Sequence, residues 1–133
     1  QSDIITLHVP GNDENTHLID EAAFKKMKDG VIIVNTARGL IIDTQALVSS
    51  LKNGKVGFAA LDTFEGEVGL YYLNKETQRL DNDNMALLKS FPNVILSPHM
   101  AFYTEQAVSD MVENSIKGIL GLESGEDNRL AVK

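Results

Sequence analysis

Cysteine is absent from the 133-residue sequence, so neither a disulfide framework nor a thiolate metal site can form. Basic residues are in the minority: 12 Lys and Arg face 19 Asp and Glu, for a net charge of −7, which disfavours binding to a phosphate backbone. No apolar run approaches the roughly 18 residues that a membrane helix needs. These absences predict a cytoplasmic protein without a nucleic-acid, membrane or metal partner.

The chain also lacks an initiator Met, and its first apolar run begins almost at once. We therefore expect it to be part of a longer protein. Its hydrophobic content of 43% and charged content of 23% are ordinary for a globular domain that can bury a core.

Four short apolar runs alternate with helical patterns along the chain. The runs predict buried strands at 4–9, 31–36, 55–62 and 93–97. Asp20 is a candidate N-cap for a helix that Gly30 would end, and Asp43 or Thr44 for one that Gly54 would end. Further helices are predicted at 84–90 and from about Thr104, the latter with an apolar stripe. The long polar segment 63–83 is expected to be functional or disordered, and the tail to be loose.

This alternation predicts an α/β fold: a doubly wound parallel sheet with helices on both faces. The nearly continuous apolar strands agree, because parallel strands are buried on both sides. We expect residues 1–103 to belong to this sheet domain and residues 104–133 to form a long helix and tail.

Charged side chains collect at the predicted carboxyl ends of the strands, where open parallel sheets bind ligands. Taken singly, each has an ordinary structural explanation. Arg38 could form a surface salt bridge, and Asp62 could be a turn residue. Glu67 could be a solvated loop acid, and His99 could bond to nearby backbone. His17 is assigned to the surface. Their coincidence on one edge favours a site. The residues at the four ends are His8, Val9 and Pro10; Thr36, Ala37 and Arg38; Asp62, Glu65 and Glu67; and Pro98 and His99.

The combination has a chemical meaning. A guanidinium fork suits a carboxylate, a histidine can donate a proton near neutral pH, and a neighbouring carboxylate favours the protonated imidazole. Arg38, His99 and one of the nearby acids around one crevice therefore describe the reduction of a 2-oxo acid or the oxidation of a 2-hydroxy acid.

Three motifs, "TARG", "LDTFEGE" and "SPHMAFYTEQA", resemble the D-isomer-specific 2-hydroxyacid dehydrogenases, and most closely their D-lactate and D-2-hydroxyisocaproate branches. The resemblance runs over essentially the whole chain. It implies a Rossmann-like domain that binds NAD, a small 2-oxo or 2-hydroxy acid as substrate, and a homodimer. Pyruvate and D-lactate are the leading pair; the alternatives are a bulkier 2-oxo acid such as 2-oxoisocaproate, and a non-enzymatic NAD-sensing scaffold like the corepressors that share the fold.

The resemblance also implies a role for individual residues. Arg38 would bind the substrate carboxylate, His99 would be the acid/base, and Glu67 would be its partner, with Glu65 the less favoured acid. The positions that match the coenzyme site are Val9, Pro10, Asn15, Thr36, Ala37, Arg38 and Asp62. Phe102 and Tyr103 would line the substrate.

One expected motif is missing. No G-x-G-x-x-G turn occurs, and neither does the acid that follows it by about 20 residues to bind the ribose. The chain is therefore expected to be the C-terminal half of a coenzyme domain, and the preference for NAD over NADP stays open.

Overall fold

The computed structural model describes residues 2–72 and 82–125. All four predicted strands and all four predicted helices are present, together with two short 3-10 turns at Asp13–Asn15 and Gly39–Ile41. The expectations for the rest of the 63–83 segment and for the tail after residue 125 lie outside the described residues. The elements are β1 (Ile4–Leu7), α1 (Glu21–Lys26), β2 (Val31–Asn35), α2 (Thr44–Lys52), β3 (Val56–Leu61), α3 (Asp83–Ser90), β4 (Val94–Leu96) and α4 (Glu105–Ser124).

The chain divides into two compact units, residues 1–99 and residues 100–133. The first holds the sheet and α1 to α3, and the second holds α4. The domain division expected at residues 103/104 stays a prediction.

The sheet of the first unit is parallel throughout, with the strand order β1-β2-β3-β4. One row of partners crosses all four strands, from Ile5 to Ile33, Ala59 and Val94. Because every strand points the same way, all four carboxyl ends meet at one edge. The predicted α/β parallel fold is confirmed.

The three connecting helices pack against one another on one face of this sheet. Crossovers between parallel strands are right-handed almost without exception, and the strand order here never reverses, so each helix returns on the same side. Val31 and Ile33 of β2 are buried in the core with Phe24, Leu47 and Leu88 of the helices. Ile32 and Val34 on the other face are only half-buried. Within residues 2–72 and 82–99, helices therefore cover one face of the sheet, whereas we expected them on both faces.

The helix starts follow the predicted capping chemistry. The side chain of Asp20 accepts from the backbone of Ala23, and that of Asp43, rather than Thr44, caps α2. The predicted stop at Gly30 is wrong, because α1 already ends at Lys26. Gly30 (φ +75°) instead turns the chain into β2, and its carbonyl oxygen would lie 2.7 Å from a Cβ at Gly57, where the β2–β3 register shifts.

The second unit is built around α4, which Thr104 caps at its start and Gly125 (φ +72°) ends in a left-handed conformation. Its predicted apolar stripe is exposed in this unit. Within residues 2–72 and 82–125, no helix is both long enough and apolar enough to cross a membrane. The stripe's most exposed members are Met111, Val112, Ile116, Ile119 and Leu120.

Candidate active site

An open groove of about 610 Å³ lies beyond the carboxyl ends of β1 and β2. It brings together five of the seven positions predicted for the coenzyme. The sequence places His8 at this strand end without indicating a role for it, and Gly11 carries no signal beyond its place after Pro10. The lining residues are His8, Val9, Pro10, Gly11, Thr36, Ala37 and Arg38.

A buried asparagine shapes the turn that carries Arg38. Asn35, the last residue of β2, is fully buried. Its Nδ2 donates to the carbonyl oxygen of Arg38 at 2.9 Å, and its Oδ1 accepts from the backbone N–H of Ala37 at 3.0 Å. Because these bonds satisfy a polar side chain inside the core, the strand can run directly into an exposed arginine.

The side chain of Arg38 crosses Gly11 closely. A Cβ at Gly11 would lie 2.7 Å from Cγ and 2.8 Å from Cβ of Arg38, so a larger residue there would displace the arginine. Nη1 of Arg38 donates to the carbonyl oxygen of Ala37 at 2.7 Å. Across the part of the chain that the structure describes, Arg38 forms no salt bridge.

Two predicted coenzyme positions do not line this groove. Asn15 donates from Nδ2 to the carbonyl oxygen of Pro10 at 3.0 Å and so holds the loop after β1. Asp62 is buried with 5% of its surface exposed, and its Oδ1 accepts from Ser97 Oγ at 2.6 Å. Its carbonyl oxygen accepts a hydrogen bond from the backbone N–H of His99 at 3.0 Å, so Asp62 helps to fix the backbone of the histidine.

Glu67 and His99 form the predicted pair. His99 Nδ1 lies 2.9 Å from Glu67 Oε1, and the two side chains are 33% and 13% exposed. Glu67 Oε2 also accepts the backbone N–H of Phe64 at 3.2 Å, which holds the carboxylate in place. Since a carboxylate accepts, Nδ1 carries a proton and Nε2 is the ring nitrogen that can face a ligand.

The backbone of His99 adopts a left-handed conformation, with φ +55°. This region is uncommon for residues other than glycine. The N–H of His99 donates to the carbonyl oxygens of Asp62 and Ser97, each at 3.0 Å, and the hydroxyl of Tyr72 donates to its carbonyl oxygen. Such conformations persist where the surroundings hold them, and they cluster at functional sites.

Tyr71 lies beside the same loop, with its ring edge-on to Phe64 at 6.2 Å. Burial raises the pKa of its hydroxyl, and the negative charges of Glu67 and Asp62 raise it further. The hydroxyl therefore stays protonated at neutral pH. The sequence gives no signal for a role of Tyr71 or Tyr72, because they lie in a segment without a regular pattern.

The other acid of the "EGE" motif has a different partner. Glu65 Oε1 lies 2.8 Å from Nε2 of His17, a residue assigned to the surface and left without a role. The hydrogen bond to Glu65 raises the pKa of His17, burial opposes this, and the charges of Glu65, Asp43 and Asp20 add to the increase. Glu67 is thus the acid of this motif that contacts His99, and its catalytic role stays a prediction.

The predicted substrate-lining residues belong to the second unit. Phe102 and Tyr103 pack edge to face at 6.2 Å and are 40% and 68% exposed. Tyr103 also lines a cavity of about 230 Å³ with Thr104, Glu105 and Val108. Their substrate role stays a prediction.

A parallel sheet whose ligand edge carries a groove and a carboxylate-supported histidine is typical of a coenzyme-dependent oxidoreductase domain. A family model supports this class. The model of the D-isomer specific 2-hydroxyacid dehydrogenase, NAD binding domain, matches residues 1–101, and the chain belongs to this family. The resemblance drawn from the three motifs is confirmed, as is NAD as the coenzyme of the family.

Individual relatives agree. Over 123 residues the chain is 49% identical to an aromatic 2-oxoacid reductase of Clostridium sporogenes, covering 92% of the chain and 37% of that protein. The structure of a D-lactate dehydrogenase from Treponema pallidum superposes with a TM-score of 0.94 at 40% identity, over 99% of this chain and 40% of that one. The NAD-complexed D-isomer specific 2-hydroxyacid dehydrogenase of Lactobacillus delbrueckii ssp. bulgaricus gives 0.90 at 33% identity, over 99% and 40%. The chain thus spans roughly two fifths of the length of these relatives.

Proposed function

We propose that the protein containing this chain interconverts a 2-oxo acid and a D-2-hydroxy acid with NAD as coenzyme. The 2.9 Å contact between His99 and Glu67 at the ligand edge of the sheet is the observation that carries the proposal. When bound, the reduced coenzyme supplies the hydride that the carbonyl carbon accepts.

The residues of the chain supply the other parts of the reaction. Arg38, which has no carboxylate partner among residues 2–72 and 82–125, binds the substrate carboxylate through its guanidinium fork. His99 donates a proton from Nε2 to the carbonyl oxygen during reduction and takes it back during oxidation. Glu67 holds Nδ1 and keeps the ring oriented.

The groove fits a part of the coenzyme. Val9, Pro10, Thr36 and Ala37 line the groove, and their small or apolar side chains would suit a flat ring of the coenzyme. Asn15 contributes by holding the Pro10 loop. Asp62 contributes by supporting the backbone of His99.

Pyruvate and D-lactate are the substrate pair we propose first. A bulkier 2-oxo acid such as 2-oxoisocaproate is the second candidate, and the 49% identity to an aromatic 2-oxoacid reductase favours it. Phe102 and Tyr103 would then line the side-chain pocket. The relatives described above are named as dehydrogenases or reductases and give no support to a non-enzymatic scaffold.

NADH oxidation by the complete protein, measured with pyruvate and with branched and aromatic 2-oxo acids, tests the proposal. We expect turnover, with D-2-hydroxy acid as the product. An L-product, or no turnover with any of these acids, would refute it.

Two further points belong to the proposal. We infer a homodimer from the family resemblance, which sedimentation of the complete protein tests. We also infer a cytoplasmic location, since the absence of cysteine suits a reducing compartment; fractionation of cells tests this.

A further inference from the structure

The loop that carries Glu67 is also held at Glu65. Glu65 Oε1 and His17 Nε2 are 2.8 Å apart, although 48 residues separate the two in the sequence. The other oxygen of Glu65 lies 3.5 Å from the backbone nitrogen of Thr44, the first residue of α2. Glu65 therefore joins the loop to two other elements, and only Gly66 separates it from Glu67.

His17 is itself fixed to the chain that follows Arg38. Its backbone is left-handed, with φ +53°, and its N–H donates to the carbonyl oxygen of Leu40 at 2.8 Å. A parallel bridge between Ile19 and Ile42 continues this contact. The His17–Glu65 pair consequently links the segment after Arg38 to the loop before Glu67.

The two segments also touch each other directly. A Cβ at Gly39 would lie 2.2 Å from the carbonyl carbon and oxygen of Phe64 and 2.7 Å from the nitrogen of Glu65. Gly66 then turns the chain with φ +84°. Because the connection is this short, a displacement of Glu65 reaches Glu67.

The pair is too exposed to act mainly through stability. Its side chains are 41% and 39% exposed, and ion pairs of this kind contribute little to folding. The reaction rate is more sensitive to such a pair than folding stability is, since a shift of about 1 Å in a catalytic group can lower a rate about 100-fold.

We propose that His17 and Glu65 are positioning residues, which hold the Glu67–His99 pair and the Arg38 segment in their working arrangement. The inference rests on the proposed function, because positioning is measured through that reaction.

Two substitutions of His17 separate the hydrogen bond from the backbone conformation. In His17→Gln the side-chain amide lies near the place of Nε2 and can still donate to Glu65. In His17→Asn the amide is too short to reach, although asparagine tolerates the left-handed backbone well. We expect His17→Asn to lower kcat about 10-fold with KM within about twofold, and His17→Gln to stay within about threefold of wild type.

A matched control removes a charge from an unrelated exposed pair. Glu21 lies 2.7 Å from Lys25 on α1 and is 72% exposed. Glu21→Gln is expected to leave kcat unchanged.

Glu65→Ala tests the pair from the other side and replaces His17→Asn if that variant does not fold. We expect the double variant with His17→Asn to lose no more activity than either single variant, since the two residues act as a unit.

A second measurement does not depend on turnover. The ¹⁵N and ¹H resonances of the His99 ring in the complete protein report its Nδ1–H hydrogen bond to Glu67. We expect this proton to exchange faster in His17→Asn than in wild type.

The outcomes separate the two proposals. Wild-type kcat together with an unchanged Nδ1–H resonance in His17→Asn and Glu65→Ala would overturn the positioning role and leave the proposed function intact. If the wild-type protein turned over no 2-oxo acid, the proposed function would fail, and the His99 resonance alone would decide the positioning role.

Discussion

Gly39 gives the sharpest prediction, because its backbone lies in a region open to any residue while its surroundings have no room for a side chain. In Gly39→Ala the new Cβ would lie 2.2 Å from the backbone of Phe64. An ordinary contact begins at about 3.4 Å, so the two segments must separate by about 1.2 Å. The neighbour is backbone, which cannot rotate away as a side chain would.

This separation moves the Arg38 turn away from the loop that carries Glu67. Overpacking of this kind typically costs about 1–3 kcal/mol of unfolding free energy. A shift of about 1 Å between catalytic groups costs about 100-fold in rate. We therefore expect a lower midpoint in thermal unfolding and a kcat/KM reduced about 100-fold, measured with NADH and the best 2-oxo acid.

The matched control is Gly121→Ala. Gly121 is in α4, and a Cβ there would meet nothing within 4 Å. Alanine should stabilise the helix by up to about 1 kcal/mol and leave kcat/KM unchanged. A Gly39→Ala protein with wild-type stability and kcat/KM would show that the two segments are not packed as described.

Three further predictions concern single side chains. Arg38→Lys replaces a fork with a point charge, and kcat/KM for 2-oxo acid reduction should fall about 100-fold, or about 2.7 kcal/mol; a value near wild type would remove Arg38 from the site. Glu67→Gln should lower kcat about 10-fold or more, since the ring of His99 loses a charged partner, whereas Glu113→Gln, in an exposed pair on α4, should not change it. Its carboxylate partner raises the pKa of His17, so the pair stabilises the folded state fully below about pH 6.5 and stops doing so as the pH rises through the raised pKa. His17→Asn should therefore lower the unfolding free energy, measured by urea titration, by less than about 1 kcal/mol at pH 5.5 and by less still at pH 9. Equal losses at both pH values would contradict the shift.

The strands could be predicted because they depend on local sequence, and the meeting of the strand-end residues could be predicted because it depends on strand direction. The β-branched run of β2 predicts a buried strand, and parallel strands bring their ends together whatever lies between them. That rule placed Glu67 and His99 on one edge, and the structure joins them. The same reasoning could not say which acid meets the histidine; the family resemblance supplied that choice.

The end of the first helix was predicted wrongly, at a point where the chain turns. A glycine after a helical pattern usually marks the helix end, but α1 stops at Lys26 and Gly30 serves the strand instead. Its close approach to Gly57 depends on the β2–β3 register, which no local pattern in the sequence encodes. A left-handed glycine thus identifies a turn without saying which element it belongs to.

The contacts between loops were beyond prediction for a related reason. His17 and Glu65 are polar, half-exposed and 48 residues apart, so neither periodicity nor composition connects them. Gly39 and Phe64 come within contact only because β2 and β3 are neighbours and their following turns share one edge. In this domain the sheet determines which groups can meet, and the loop contacts determine the distances at which they do. Catalysis depends on those distances, so substitutions such as Gly39→Ala should disturb the reaction without touching a reacting group.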